Sequence, residues 1–395
     1  MMISVLLFIL VCAYGVGLWQ LWAGVRKVIK DNRGEDVFSD EKGNWPTVSI
    51  IVAARNEEEN LPKLLRCLMT LDYPADKIEY AIVDDRSTDS TWDLLQRAHR
   101  KWPNLKIIQI AEEIPGFAPK KRALDSAIRA TQGEILLLTD ADCTPPEGWA
   151  KAMVRHFKED TAIVPGYSPY RFDTPVPRLL RGILALDFFS LATVAAGSVG
   201  MGQPITAVGC NLCYRRSTYF AVDGFEKIKE WISGDDDLFL QLVGESKVGN
   251  ANYALHPESF VPGAAPVSFR QFWNQRIRYA SKSLYYKWQF TFSLLALYLF
   301  NLSIPVSVLL LGVGKTGLAL PGLVVWLIKM GADYLFLKRC TRVFQQEHLM
   351  RYFLPTSILH PFYVSLFGAL GSLMGFSWKN DDDTKKKMSR PNVDA

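Results

Sequence analysis

At 395 residues with 49% hydrophobic side chains, the chain is more apolar than a purely soluble enzyme of one large or two ordinary domains. Its net charge of +5, from 45 basic and 40 acidic residues, is too mild to argue for a nucleic-acid partner. The basic clusters instead flank apolar segments, a placement that suits anionic lipid headgroups.

Met1 to Val25 is almost uncharged and long enough to cross a bilayer core, which takes about 20 apolar residues. Arg26, Lys27 and Lys30 follow it directly. A signal peptide has its charges before the apolar run and a small-residue cleavage site after it, so this polarity predicts an uncleaved anchor with the following region in the cytoplasm. From Val48 strand and helix patterns alternate. A strand over Val48 to Ala53 precedes an amphipathic helix from Glu57 to Met69, with Leu61, Leu64, Leu65 and Leu68 on one face. A strand from Ile78 to Val83 runs into Asp84-Asp85-Arg86-Ser87-Thr88-Asp89. A helix over Ser90 to Trp102, a strand over Leu105 to Ile110 and a helix over Lys120 to Ala130 follow.

The next strand, Glu134-Ile-Leu-Leu-Leu-Thr139, stops abruptly at Asp140-Ala141-Asp142. Its apolar run reads as a parallel strand buried on both faces, which places the carboxylates at its C-terminal edge, where open α/β sheets bind ligands. Two hard oxygen ligands at this spacing suit a divalent cation shared with a diphosphate; taken alone, the pair reads more readily as loop carboxylates capping the next helix. The alternation predicts an α/β fold with a mostly parallel sheet and right-handed crossovers. No Gly-x-Gly-x-x-Gly follows the first strand, which disfavours a dinucleotide-binding fold.

Pro177 to Pro204 is apolar, with Arg178 and Arg181 near its start and Asp187 inside; it reads either as a helix in the membrane surface or as a core helix. Phe290 to Leu311, Leu318 to Leu337 and Phe353 to Phe376 each have the length to span a membrane, and Lys338 to Arg342 reads as a basic loop expected on the cytoplasmic side. One N-terminal and three C-terminal spans put the polar tail, about 377–395, outside, against the positive-inside tendency of Lys385 to Lys387. A re-entrant last segment broken by Pro355 and Pro361, or a tail made tolerable by Asp381 to Asp383, resolves the conflict. The six cysteines are scattered, and Cys210-Asn-Leu-Cys213 has no second pair or histidine to complete a zinc site, which leaves it a structural role.

Five ordered stretches then line up: Val48-Ser-Ile-Ile-Val-Ala-Ala-Arg-Asn-Glu57, Val83-Asp-Asp-Arg-Ser-Thr-Asp89, Thr139-Asp-Ala-Asp142, Gly234-Asp-Asp-Asp-Leu238 and Gln275-Arg-Ile-Arg-Tyr279. Together they resemble the motifs of the family-2 inverting glycosyltransferases over about residues 48 to 279. The single anchor, a cytoplasmic domain at about 45–285 and a membrane region at about 290–376 resemble the ceramide glucosyltransferase arrangement. The resemblance implies a GT-A fold plus α-helical transmembrane segments, and a divalent metal (Mg2+ or Mn2+) at Asp142, with Asp140 on the metal or the ribose. It implies Ala53, Arg55 and Glu57 around the base and ribose, Asp84 and Asp85 toward the base, Lys120 near the nucleotide, and Gly209 and Asn211 near the acceptor. A carboxylate at the end of the second strand can accept the imide N–H of uracil.

Inversion needs one general base on the acceptor hydroxyl. Alignment on Asp237-Leu238 places it at Asp235. Gly234 stands where the family carries an acid, which leaves Asp236 as a competitor at the acceptor side. Gln275, Arg276, Arg278 and Tyr279 match a Gln-x-x-Arg-Trp pattern with Tyr for Trp, and Arg278 is suited to bidentate contact with diphosphate oxygens. The expected activity is transfer of a sugar from a nucleotide donor, a UDP-sugar, to a lipid at the cytoplasmic face of the inner or plasma membrane. The rival readings are a processive polysaccharide synthase of the cellulose or hyaluronan type, which shares all five motifs, and a non-catalytic membrane scaffold.

Overall fold

A computed structural model describes residues 2–33, 36–282, 286 and 288–373; the polar tail and the end of the last apolar segment lie outside them. A long helix, α1 (Met2–Asp31), precedes the α/β unit. That unit runs β1 (Val48–Ala54), α2 (Leu61–Met69), β2 (Ile78–Asp85), α3 (Thr91–Lys101), β3 (Leu105–Ile110), α4 (Pro119–Ala130), β4 (Ile135–Asp140), α5 (Trp149–Val154), β5 (Thr161–Pro165) and β6 (Tyr170–Arg171). After α6 (Arg178–Gly200) come β7 (Leu212–Arg215), α7 (Arg216–Ala221), α8 (Asp237–Ser246), β8 (Asn250–Ala251) and β9 (Gly263–Ala264). The chain closes with α9 (Phe269–Lys282), α10 (Trp288–Gly312), α11 (Thr316–Val343) and α12 (Phe353–Leu373).

The main sheet has seven strands in the order β3-β2-β1-β4-β7-β5-β8. β1 pairs in parallel with β2 and β4, while β7 is antiparallel to β4 and β5. Alternation along the strands supplies two cores, as expected for a sheet covered on both sides. Ile50, Val52 and Leu137 pack with Leu61, Leu64, Trp149 and Phe157 on one face, and Ile51, Leu136 and Leu138 pack with Ala127, Ile128, Tyr214 and Phe239 on the other. The chain reverses its direction across the sheet between β1 and β4, where Ala53 is in register with Asp140. This is the switch point at which open α/β sheets leave a crevice.

α2 starts four residues later than its leucine pattern predicts. Asn56 sits at φ +52°, its side-chain oxygen accepts the Thr88 N–H at 2.8 Å, and the Glu57 N–H donates to Thr91 Oγ1 at 2.8 Å. The stretch from Asn56 to Asn60 is thereby held as a loop against the loop after β2.

Among the described residues, five helices are long and apolar enough to cross a membrane: most of α1, α6, α10, α11 and a stretch ending in α12. α1 and α6 cross at glycines. A Cβ on Gly24 would stand 2.0 Å from the Gly197 carbonyl oxygen, and one on Gly200 would stand 2.0 Å from that of Gly24. Such small-residue crossings let helix backbones meet closely. Lys329 and Asp333 of α11 pair at 2.7 Å, and the Tyr14 hydroxyl donates to Asp333, which ties α11 to α1. α6 is largely a core helix: Leu186, Phe189, Ala196 and Val199 pack with Val25 and Val28 of α1 and with Tyr167, Tyr253 and Phe260 of the α/β unit. Its first turn presents Leu179 and Leu180 outward, 56% and 46% exposed, and Leu191 further along is also exposed. α12 lies across α9: Phe367 packs on Phe272 and Trp273, and a Cβ on Gly371 would stand 2.4 Å from Ala280 Cβ.

Candidate active site

A cavity of about 1690 Å3 opens at the β1/β4 switch point and continues to the apolar helices. β1 and the loop after it contribute Ala53, Arg55 and Glu57, β2 contributes Asp85, and the end of β4 contributes Asp140 and Asp142. The start of α4 supplies Lys120, the loop before β7 supplies Gly209, and the turn into α8 supplies Asp235 and Asp236. α9 adds Gln275, Arg276, Arg278 and Tyr279. Fourteen of the sixteen residues read from the sequence thus line one space, although they are spread over 227 positions from Ala53 to Tyr279.

The two exceptions are Asp84 and Asn211. Asp84 points away from the cavity, fully buried, and burial raises its carboxyl pKa above the usual value. Alternation along β2 explains this, because only one of two consecutive carboxylates can face the crevice. Asp85 is the one that does, held by Arg122 at 2.6 Å and Arg86 at 3.2 Å. Asn211 is also buried away from the cavity wall. Its oxygen accepts from Trp149 Nε1 at 3.0 Å and its amide donates to the Tyr167 and Ser259 carbonyls at 2.8 Å each, so it pins three segments together.

At the centre, Lys120 Nζ lies 2.8 Å from Asp140 Oδ1 and 2.8 Å from Asp235 Oδ2. Burial opposes the lysine's charge, but the two carboxylates outweigh it and hold the pKa well above the ordinary lysine value. Gly209 is small for a reason: a Cβ there would approach Asp235 Oδ2 to 2.9 Å and Lys120 Nζ to 3.2 Å.

The geometry also separates the adjacent acids. Asp236 caps α8. Its Oδ1 accepts the Asp237 N–H at 2.7 Å and its Oδ2 the Gly209 N–H at 3.1 Å. Asp237 takes the Leu238 N–H at 2.9 Å and the Tyr286 hydroxyl at 2.7 Å. Asp235 is the carboxylate turned to Lys120. Gly234 has φ +95°, and a Cβ there would stand 2.3 Å from Leu238 Cδ1, so the glycine in place of an acid follows from the turn that aims Asp235.

Asp140 and Asp142 remain partly exposed at the mouth, both facing the cavity. Among the described residues no group of three or more His, Cys, Asp and Glu side chains converges. Two carboxylates beside open space fit a hard divalent cation that takes its other ligands from a bound diphosphate and water.

Sequence reasoning missed several partners. Arg171 Nη1 donates to Thr144 Oγ1 at 3.1 Å; burial opposes the arginine's charge, but Asp173 first, then Cys143 and Asp142, raise its pKa above the ordinary value. Tyr170 donates to Gln275 at 2.9 Å and stacks on Phe188 of α6, ring centroids 4.2 Å apart. Arg276 is buried at 2% exposure, paired at 2.7 Å with Asp187 of α6 and donating to the Tyr363 hydroxyl of α12 at 2.9 Å. It therefore joins α9 to two apolar helices, a place the sequence reading gave to a donor contact. The lone acid Asp187 inside an apolar segment was the available signal. Cys210 donates to Ser168 at 3.1 Å and Cys213 is buried in β7, both as free thiols.

Residues 49–219 match the family model described as glycosyl transferase family 2. A beta-monoglucosyldiacylglycerol synthase of Synechocystis sp. is 30% identical over 242 residues, 60% of this chain and 47% of that protein. The probable glycosyltransferase YdaM of Bacillus subtilis is 25% identical over 274 residues, 68% of this chain and 62% of that protein. The chain therefore matches about half the length of the first and less than two thirds of the second. A mannosyltransferase from Pyrobaculum calidifontis, solved with GDP-mannose and Mn2+, superposes over 96% of this chain and 99% of its own with a TM-score of 0.54 at 19% identity, a likeness of fold.

Proposed function

We propose that this chain, whose residues 49–219 form a glycosyl transferase family 2 domain, is a membrane-embedded inverting glycosyltransferase that moves a sugar from a nucleotide diphosphate to a lipid alcohol at the cytoplasmic membrane face. The observation that carries the reading is the continuity of one cavity. It joins Asp140, Asp142 and Asp235 to an apolar wall built by Phe188, Leu191 and Ala195 of α6, Leu294 and Leu295 of α10, and Val364 of α12. A soluble acceptor would have no use for that wall. The donor we propose is a UDP-sugar, its base beside Ala53 and Asp85 and its diphosphate between the Asp140–Asp142 pair and Arg278. The name of the Synechocystis relative supports an acceptor of the diacylglycerol class.

The residues divide the chemistry. Asp140 and Asp142 would hold a divalent cation, which when bound neutralises the departing diphosphate. Asp235 accepts the proton of the acceptor hydroxyl as that oxygen attacks the anomeric carbon from the face opposite the nucleotide, so the carbon–oxygen bond to the diphosphate breaks as the new one forms. Lys120 holds the Asp235 carboxylate in place through their 2.8 Å ion pair. Helices α6 and α9 shield the reacting atoms from water.

The test is to reconstitute the full chain in bilayers containing native lipid extract, supply a panel of radiolabelled nucleotide sugars, and locate the label. Label in one glycolipid supports the proposal, whereas a ladder of sugars indicates a polymer synthase and no transfer with any donor indicates a scaffold. Leu191→Gln with Leu295→Gln should depress lipid glycosylation at least ten-fold while sparing donor hydrolysis. Equal loss of both would show that these residues only support the fold.

A further inference from the structure

A second cavity, of about 540 Å3, lies where the ends of α1 and α11 meet the α/β unit. Its rim carries Arg33, Arg155, Lys158 and Arg342, with Asp36 as the one acid among the described residues, and Ile29, Leu255 and Val343 supply an apolar side. The balance is strongly basic in a chain whose overall charge is only +5. Two further observations point to a missing anion. Arg33 and Arg342 are exposed and make no ion pair among the described residues. Arg155 Nε is buried without a hydrogen-bond partner, and its guanidinium makes only long ion pairs of 3.8 Å, from Nε to Asp36 and from Nη2 to Asp40.

Depth identifies the anion. Arg26, Lys27 and Lys30 close α1, and Lys338, Arg339 and Arg342 close α11, so the cavity sits at the level where both apolar helices reach charge. Basic pockets between membrane helices at that level bind lipid headgroups. A soluble phosphate would use the arginines alone, while a phospholipid also uses Ile29, Leu255 and Val343, and the volume falls within the usual range for small-ligand sites.

We infer that this cavity binds the phosphate headgroup of an anionic phospholipid, with Arg33, Arg155 and Arg342 on the phosphate oxygens and the glycerol against Ile29 and Val343. The site is separate from the sugar-transfer cavity, and the inference rests on the proposed function only for the position of the membrane. A bound headgroup would tie the ends of α1 and α11 to α5 through one ligand.

The test measures binding and needs no catalysis, so its failure is distinguishable from failure of the glycosyltransferase reading. The full chain is placed in phosphatidylcholine nanodiscs with increasing phosphatidylglycerol, and lipid retained on the released protein is read by native mass spectrometry. Phosphatidylglycerol should be retained in preference to phosphatidylcholine. The double variant Arg33→Gln, Arg342→Gln should weaken that retention about 25-fold, at about five-fold per basic residue. Both residues are exposed, so the variant's melting midpoint in pure phosphatidylcholine should match that of the unmodified chain. Equal retention of the two lipids by the unmodified protein overturns the inference without recourse to any variant, and so does undiminished retention by the double variant. Displacement of phosphatidylglycerol by millimolar inorganic phosphate would assign the site to a soluble anion and overturn the lipid assignment.

Discussion

Asp235→Asn and Asp236→Asn, made one at a time, should give opposite phenotypes although the two residues are neighbours. Asp235 faces the cavity with Oδ2 at 2.8 Å from Lys120, so its amide would keep the shape of the site but accept no proton. Loss of a general base costs about 10² to 10⁴ in rate, or roughly 3–5 kcal/mol of barrier. Asp236 is committed to two backbone N–H groups, those of Asp237 and Gly209. An amide can replace only one of its two acceptor oxygens, so a cap and a loop contact are weakened at a cost of about 1–2 kcal/mol of stability. The assay is initial-rate transfer of a labelled sugar per folded molecule, with donor affinity and melting midpoint measured on the same preparations. Asp235→Asn should lose turnover while keeping donor affinity, and Asp236→Asn should melt earlier while keeping turnover within a few-fold. An inactive Asp236→Asn beside an active Asp235→Asn would refute the assignment and move the base by one residue.

Asp142→Ala should remove metal-dependent donor binding and at least 100-fold of activity with the fold intact; full turnover in excess chelator would remove the cation from the mechanism. His156 is buried, its Nδ1 at 2.7 Å from the Ala152 carbonyl oxygen, and burial lowers its pKa from 6.5 to about 4. The unfolded chain takes up this proton below about pH 6.5 and the folded chain does not until about pH 4. The stabilisation is therefore complete above pH 6.5 and falls by about 3 kcal/mol as the pH drops to 4. Denaturation midpoints across that window should show the slope, and His156→Gln should flatten it; an unchanged slope would assign it to other groups. Gly24→Leu puts a side chain where even a Cβ would meet the Gly197 carbonyl oxygen at 2.0 Å, so it should cost at least the 1–3 kcal/mol typical of overpacking and lower the melting midpoint in detergent. Unchanged melting would show that α1 and α6 do not cross there.

The α/β unit was legible because its signals are local. Strands buried on both faces read as unbroken apolar runs, as Leu136 to Leu138 does, and helices such as α3 and α4 announce themselves by period, so six elements of the unit fall within a residue or two of their predicted limits. The motifs were legible for a related reason: carboxylates at strand ends are carried to the switch point by the topology itself. What the sequence by itself left open concerns direction and contact over distance. It placed the base at Asp235 and left Asp236 as a competitor, since the directions of the two side chains depend on a turn at φ +95° and on the approach of Gly209, 25 or more positions away. It did not separate Asp85 from Asp84, where the pleat turns one carboxylate inward, or remove Asn211 from the acceptor side, where three distant partners claim its side chain. The choice between a surface and a core helix for α6 was likewise out of reach, because an apolar face looks the same toward lipid as toward protein. Only packing against α1 and the α/β unit covered Leu186 and left Leu180 outside. Asp187 marked the limit of pattern reading: a single acid in an apolar run signals a buried partner, and the tertiary structure alone names it as Arg276.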